Sequence, residues 1–448
     1  MISTDLLRRL DVVAPRYTSY PTVPEWSADF MAVDHATALR RAGETPEAAL
    51  SLYVHLPFCR ELCSYCGCNV VVTRDQARVE RYLAALDQEI AHVASLLGDR
   101  RRVARLHLGG GTPTFLDERQ LTRLWATLTS HFQLEPGAEV ALEIDPVVTT
   151  KAQLSLLGSF GFNRISMGVQ DFDPDVQRAV NRIQSFEETA VAVEHARSVG
   201  FRSVNLDLIY GLPRQTASSF RRTMAQVVAL SPDRVAVFSF AYVPTLRANQ
   251  RRLVQAELPS SELKQDLQAV ADDQLGSAGF RAIGIDHYAR QDDELAIAAE
   301  RGTLWRDFQG YTTRRANATV AVGASAISDL GFAFAQNDHS LGSYEQAVGT
   351  GVTATCRGKW LSDDDLRRRE LITQILCNGV AELGPDGTSH FAAELAALSP
   401  LVQDGLVTTR GASLWLSPVG RRFARNVAMV FDAYLHREGA IRSFSRAI

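Results

Sequence analysis

The chain has 448 residues, 46% of them hydrophobic, enough to bury a large core and to form two or three domains. Its formal net charge of -4 gives no global pull toward nucleic acid or an anionic membrane, so neither is expected as a partner. No run of roughly eighteen apolar residues occurs and positions 1–22 hold no signal-peptide core, which predicts a cytoplasmic protein with no membrane attachment.

An N-terminal arm carrying PRYTSYPT at 15–22 comes first. Short apolar or β-branched runs then follow at 52–55, 105–108, 140–144, 164–169, 203–208 and 234–238, separated by segments of helical periodicity such as 79–97 and 218–230. Six strand–helix units fall short of the roughly eight that close a barrel. The expected fold is therefore α/β, an open, partial (β/α)6 TIM-like barrel with its ligands at the C-terminal ends of the strands. Beyond 360 the texture changes to a helical DDDLRRRELITQILCNGV, a hairpin-like DGLVTTRGASLWLSP and a helical VGRRFARNVAMVFDAYL, which predicts a mainly helical, winged-helix-like domain. Such a shape can bind DNA, but the acidic DDD and GPDG around its arginines weigh against that. The expected domains are an arm at 1–45, the barrel at 46–260, a barrel extension bearing part of the substrate site at 261–360, and the C-terminal domain at 361–448.

Four of the six cysteines crowd into YVHLPFCRELCSYCGCN as Cys59, Cys63, Cys66 and Cys68. A reducing compartment weighs against a disulfide. Zinc sites usually bring two close cysteine pairs, or a pair and two histidines, whereas this spacing is C-x3-C-x2-C-x-C in one run. Cys66 and Cys68 are not both expected to face one small ion. Thiolates at Cys59, Cys63 and Cys66 suit a loop around an iron–sulfur cluster with one iron left open, the alternatives being a zinc ion or unconnected buried thiols. Cys356 and Cys377 stand alone. His55 and His107 lie on strand runs without ligand spacing and are expected in the core or in hydrogen bonds.

The C-x3-C-x2-C run after an apolar strand resembles the signature of radical S-adenosylmethionine (SAM) enzymes, in which SAM chelates the fourth iron. Together with PRYTSYPT, the extra cysteine of CGCN, LHLGGGTPTFL at 106–116, GFNRISMGVQDF at 161–172, VNRIQ at 180–184, NLDLIYGLP at 205–213, FQGYTT at 308–313 and the terminal FSRAI, it resembles the oxygen-independent coproporphyrinogen III dehydrogenases of that group. The resemblance implies a [4Fe–4S] cluster and two SAM molecules. The cluster-bound SAM is implied to meet Gly110, with Tyr53, Glu143, Ala241 and Ile327 completing its pocket. The second is implied to lie against Gly111, Thr112, Gln170, Arg182 and Asp207, with Tyr65 stacking nearby. Cys68 is implied to serve the substrate or the second SAM rather than iron.

Taken alone, these residues read more plainly. Glycines 109–111 make a tight strand exit, Glu143 a surface ion pair, and Arg182 and Asp207 structural salt bridges. The chemistry the resemblance assigns is consistent with their types: a carboxylate at Glu143 accepts from an ammonium or ribose hydroxyls, and a guanidinium at Arg182 grips a carboxylate bidentately.

The implied reaction is the oxidative decarboxylation of two propionates of coproporphyrinogen III to vinyl groups, giving protoporphyrinogen IX. A 5′-deoxyadenosyl radical would start it, with a low-potential donor such as flavodoxin or ferredoxin as partner and a monomeric enzyme. The C-terminal domain would act as a lid. A tetracarboxylate needs cations at its pocket, and Arg16 and Arg290 are the candidates. RRANATVAVG after FQGYTT and AYVP at 241–244 depart from the pattern where an acidic segment and AHLP are usual. The rivals are a related haem chaperone, which lacks both the PRYTSYPT arm and a counterpart of Cys68, another radical SAM enzyme acting on tetrapyrroles, and a ferredoxin-like electron carrier.

Overall fold

The computed structural model describes residues 4–435 together with 437, 444 and 446. The other residues of the C-terminal FSRAI lie outside the described residues. Six strands run parallel and in sequence order: β1 (Leu50–Leu56), β2 (Arg102–Gly110), β3 (Gln133–Ile144), β4 (Arg164–Gln170), β5 (Ser203–Tyr210) and β6 (Arg234–Ser239). Helices return the chain between them, among them Gln76–Leu96, Glu118–His131, Lys151–Ser159, Phe186–Ser198 and Ala217–Ala229. Each of these begins at a residue whose side chain accepts from first-turn amides: Asp75, Asp117, Thr150, Ser185 and Thr216.

The sheet then grows past both barrel edges. β7 (Phe280–Ile283) and β8 (His287–Arg290) add antiparallel strands beyond β6. On the other side β9 (Thr319–Val322) runs parallel to β1, followed by antiparallel β10 (Ile327–Asp329), β11 (Ala333–Asn337) and β12 (Thr355–Trp360). The result is one sheet of twelve strands, from β12 at one edge to β7 at the other, with the edges unpaired to each other. The barrel is open, as six units predict, and the added strands are short pieces without periodicity in the sequence.

Burial alternates along β4 and β5. Ile165, Met167 and Val169, with Val204, Leu206 and Leu208, are buried in the main core, while Arg164, Ser166, Gly168 and Gln170, with Asn205 and Asp207, line the barrel's interior cavities. A closed barrel fills this space with branched apolar side chains. Here the interior is polar, and its lower part is crossed by ion pairs such as Arg105 with Asp307 at 2.6 Å and Arg234 with Asp293 at 2.8 Å.

The C-terminal unit is built on helix Asp363–Asn378 and a three-stranded antiparallel sheet. The hairpin Val407–Arg410/Ser413–Leu416 is the one read from sequence; Val380–Glu382 pairs with its second strand, and short helices fill 387–403. The first 45 residues, expected as one arm, divide between two cores. Leu10, Tyr17 and Tyr20 pack with the C-terminal unit, whereas Phe30, Ala38, Leu39 and Ala42 join the barrel core. The Tyr17 hydroxyl donates to Asp432 at 2.9 Å, and Arg425 Nε donates to the Pro15 carbonyl at 3.0 Å.

Candidate active site

All four clustered cysteines line a single cavity of about 630 Å³ at the C-terminal ends of β2 to β5, shared with Tyr65, Gly110, Gly111, Thr112, Glu143, Gln170, Arg182 and Asp207. The chain leaves β1 through Pro57, pairs Phe58–Cys59 with Val71–Val72, and loops between them. That loop is held by groups distant in sequence. Asn249 Nδ2 donates to the carbonyls of Cys63, Ser64 and Cys66 at 3.0–3.2 Å. Gln250 Nε2 donates to Tyr65 at 3.3 Å and to Ala241 at 3.0 Å, and Asn181 Nδ2 donates to Leu62 at 3.1 Å. The segment carrying Cys66 and Cys68 is a turn rather than a strand, and both thiols reach one cavity.

The glycine turn closes over the cysteine loop backbone to backbone: Gly111 N–H donates to the Leu56 carbonyl at 2.8 Å and Thr112 N–H to Phe58 at 2.9 Å. A β-carbon at Gly111 would stand 2.6 Å from the Phe58 carbonyl oxygen, and one at Gly110, where φ is +116°, would strike the His55 ring. Gly110 N–H donates to Glu143 Oε2 at 3.1 Å, and His107 Nε2 lies 3.3 Å from Glu143 Oε1. Burial pushes the Glu143 carboxyl up, but the hydrogen bonds from His107 and Gly110 outweigh it and leave it below the usual carboxylate value. It is thus an ionised acceptor at the cavity wall. His55 and His107 are hydrogen-bonding residues: His55 Nδ1 meets the Tyr53 hydroxyl at 3.1 Å, and the Tyr53 ring stacks on His107.

On the opposite wall Arg182 donates through Nη1 to Asp145 at 3.0 Å and through Nη2 to the Gly168 carbonyl at 2.6 Å, with Cys63 Sγ 3.8 Å away. Its Nε is buried and has no hydrogen-bond partner among the described residues. Asp207 accepts from Ser166 at 2.8 Å and Asn205 at 2.7 Å, and burial raises its pKa. Gln170 holds a left-handed backbone, φ +66°, beside Arg182 and Gly168. Tyr65 packs against the cluster of Val176, Val180, Leu212, Phe240 and Leu253.

Three expected site residues do not line this cavity. Tyr53 lies deeper, beneath Gly109; Ala241 is tied to the loop through Gln250; and Ile327 begins β10, two strands from β1. Arg16 reaches the site's side of the barrel, its guanidinium donating to the Ser239 carbonyl at the end of β6. Arg290 does not. Its neighbour Ala289 pairs with Arg234 at the start of β6, so Arg290 is exposed at the far end of the barrel. Asn249, Gln250 and Asn181 were not expected; each acts on a loop over a hundred residues away, and although Asn181 falls within VNRIQ, nothing in that pattern marks it as a loop clamp.

Cys59, Cys63 and Cys66 fit an iron–sulfur cluster. Burial pushes the Cys59 thiol up to about 12 and raises Cys63 against the opposing pull of Arg182. Such thiols ionise when a cation replaces the proton, as ligation to iron does. Among the described residues no three or more His, Cys, Asp or Glu converge on a single-ion site. The thiols line a cavity whose wall also carries the acceptors and cation that a zwitterionic ligand needs.

A profile of the radical SAM superfamily matches residues 53–227. The chain is 45% identical over 450 residues to the oxygen-independent coproporphyrinogen III oxidase of Salmonella typhimurium, covering 99% of this chain and 98% of that one. The enzyme of that name from Pseudomonas aeruginosa is 43% identical over 453 residues, with the same coverage. Among solved structures, coproporphyrinogen III oxidase from Escherichia coli, described as a radical SAM enzyme, superposes with a TM-score of 0.90 at 45% identity, covering 94% of this chain and 97% of that one.

Proposed function

The chain belongs to the oxygen-independent coproporphyrinogen III oxidase family of radical SAM enzymes, and on that premise we propose that its cysteine-lined cavity holds the [4Fe–4S] cluster on Cys59, Cys63 and Cys66 with two SAM molecules beside it. The enzyme is an oxidoreductase of anaerobic haem biosynthesis. It converts two propionates of coproporphyrinogen III to vinyl groups, giving protoporphyrinogen IX and carbon dioxide.

When bound on Cys59, Cys63 and Cys66, the cluster with its SAM would supply the radical chemistry that activates the propionate β-carbon for decarboxylation. The chain's own part is placement and polarity. Glu143, kept ionised by His107 and Gly110, accepts from the ammonium or ribose of the first SAM, whose pocket Tyr53, Ala241 and Ile327 complete. Gly111, Thr112, Gln170, Arg182 and Asp207 hold the second, Arg182 gripping its carboxylate and Asp207 accepting from its hydroxyls or ammonium, with the Tyr65 ring alongside. Cys68 stays off the iron and faces the substrate or the second SAM.

The observation that carries this reading is the meeting of the three thiols with Glu143, Arg182 and Asp207 around one cavity. The haem-chaperone alternative is not favoured, since the PRYTSYPT arm sends Arg16 to the end of β6 and Cys68 lines the cavity. The enzyme works as a monomer reduced by a flavodoxin or ferredoxin, on a substrate that no membrane need deliver. Among the described residues no helix is long and apolar enough to cross a membrane. Anaerobic protein reconstituted with iron and sulfide, given SAM, a low-potential reductant, an electron acceptor and coproporphyrinogen III, should yield protoporphyrinogen IX, carbon dioxide, methionine and 5′-deoxyadenosine. SAM cleavage with all four propionates recovered would refute the assignment.

A further inference from the structure

Most arginines that line the barrel's interior have carboxylates to face. Arg105 meets Asp307, Arg164 meets Glu139, and Arg234 meets Asp293. Arg16 has no such partner. It donates to the Ser239 carbonyl, and no Asp or Glu forms an ion pair with it among the described residues. Arg306 lies against it, its Nη1 donating to the Arg16 carbonyl at 2.6 Å. The carboxylate nearest to Arg306 is Asp286, at 3.7 Å from Nη2, and Asp286 already accepts from His287 at 2.7 Å. Arg306 Nε is buried with no hydrogen-bond partner among the described residues. Arg425, which holds the Ala14 and Pro15 carbonyls, adds a third guanidinium to the same corner.

Arg16 and Arg306 thus share Asp286 as the carboxylate that acts on both, and neither has it as a close ion-pair partner. Buried positive charge in excess is unfavourable unless an anion joins it. Burial lowers the Arg16 pKa, and the nearby Arg306 charge adds to the fall against the pull of Asp286, as expected of a cation short of counter-charge.

The position is suited to a ligand. Arg16 lines a small cavity with Tyr210, Ser239 and Asp286, and also a larger one of about 330 Å³ with Arg306. The larger cavity shares Glu143, Ser166 and Asp207 with the cysteine-lined cavity. The arginine pair and the thiols therefore lie on opposite sides of those three residues.

We propose that Arg16 and Arg306 form a carboxylate subsite that holds one of the two propionates of coproporphyrinogen III which the reaction spares. This rests on the substrate class given above. The reacting propionate must face the thiol side, so the arginine side receives another. A group that anchors the macrocycle through both decarboxylations must survive them, and only the spared propionates do. Arg16 and the unpartnered Nε of Arg306 supply the donors.

The test is a fluorescence titration of reconstituted, SAM-loaded protein with two stable porphyrins. Coproporphyrin III carries all four propionates; mesoporphyrin IX keeps the spared pair and has ethyl groups in place of the others. R16Q and R306Q should each weaken both porphyrins about 10- to 100-fold, the loss expected for one charge-assisted hydrogen-bond partner. R16K should recover part of it, and R290Q, altered at the exposed far end, should bind as wild type does. Equilibrium dialysis with SAM reports whether each variant has folded. Folded variants with unchanged affinity for both porphyrins would overturn the subsite, and weakening of coproporphyrin III alone would overturn the choice of a spared propionate. KM for coproporphyrinogen III should rise in parallel with kcat changed far less; an unchanged KM also overturns the proposal. Wild-type protein that binds both porphyrins through these arginines yet turns over no porphyrinogen would refute the enzymatic reading and leave the subsite standing.

Discussion

The side-chain amide of Asn249 donates to the carbonyl of Cys66 at 3.0 Å across 183 residues of sequence, and the same nitrogen meets the carbonyls of Cys63 and Ser64. One side chain thus sets the curvature of the loop that presents the thiols. Asn249→Ala should leave the barrel folded but unpin that loop, at a cost of about 1–3 kcal/mol for the carbonyls left unmet. The measurement is iron retained after gel filtration of reconstituted protein, with circular dichroism as the check on folding. Full iron retention at wild-type rates of loss would show that the clamp is dispensable.

Gly111 admits no β-carbon without displacing the Phe58 and Pro57 backbone, which would lie 2.6–2.7 Å from it. Gly111→Ala should therefore lower stability by about 1–3 kcal/mol, as overpacking does, and weaken SAM binding with it. Thermal unfolding and SAM dialysis read the two effects. An alanine variant with unaltered melting and binding would mean the turn yields more readily than its contacts suggest.

Replacing Cys59, Cys63 or Cys66 with Ser should abolish iron loading, because each supplies a soft ligand that a hydroxyl does not replace. Cys68→Ser should load iron normally and still fail to complete decarboxylation. Iron and sulfide analysis of the four variants decides between three ligands and four.

Arg182 and Asp207 stand on the wall assigned to the second SAM. Dialysis of reconstituted wild-type protein should give ~2 SAM per chain, falling toward ~1 in Asp207→Ala, since a buried charge-assisted contact is worth about 1.5–3 kcal/mol. A wild-type ratio of one would remove the second site.

Glu143 carries a pH prediction. Its folded pKa lies below the ordinary carboxylate value, so what its charge contributes is fully present above that value and is lost only as pH falls through the lower, folded one. SAM affinity should thus persist through mildly acid pH in the wild type. His107→Ala removes a hydrogen bond that holds the pKa down, and the acid limb of the SAM-binding profile should move upward. A limb that stays in place would mean His107 does not set the Glu143 charge.

Much of this architecture could be read from the chain because its strands obey a simple pattern. β5 writes its two faces as V-N-L-D-L, apolar toward the core and polar toward the cavity, and the runs at 52–55 through 234–238 all fall inside observed strands. The thiols and the glycine turn lie at or just beyond the ends of those strands, Glu143 and Asp207 lie within them, and Arg182 follows a short helix after β4, so local motifs marked each as a candidate. What escaped was non-local. Asn249 and Gln250 act across more than 180 residues, and β10 and β12 take their places from pairing with neighbours rather than from their own composition. Arg290 was misplaced because sequence does not say that β8 runs antiparallel, which sends its last residue to the wrong end of the barrel.

The Tyr17 hydroxyl finds its acceptor in Asp432, 415 residues later. On the ribosome the arm has no such partner until nearly the whole chain has been made, whereas the strands from 50 to 239 pair with close neighbours and need not wait. The part of the arm from Leu10 to Tyr20 therefore reaches its final contacts only after the C-terminal unit is made, whereas the part from Phe30 to Ala42 packs on the barrel. Arg16 lies in that stretch, so its contact with the Ser239 carbonyl joins the chain's first residues to the end of β6.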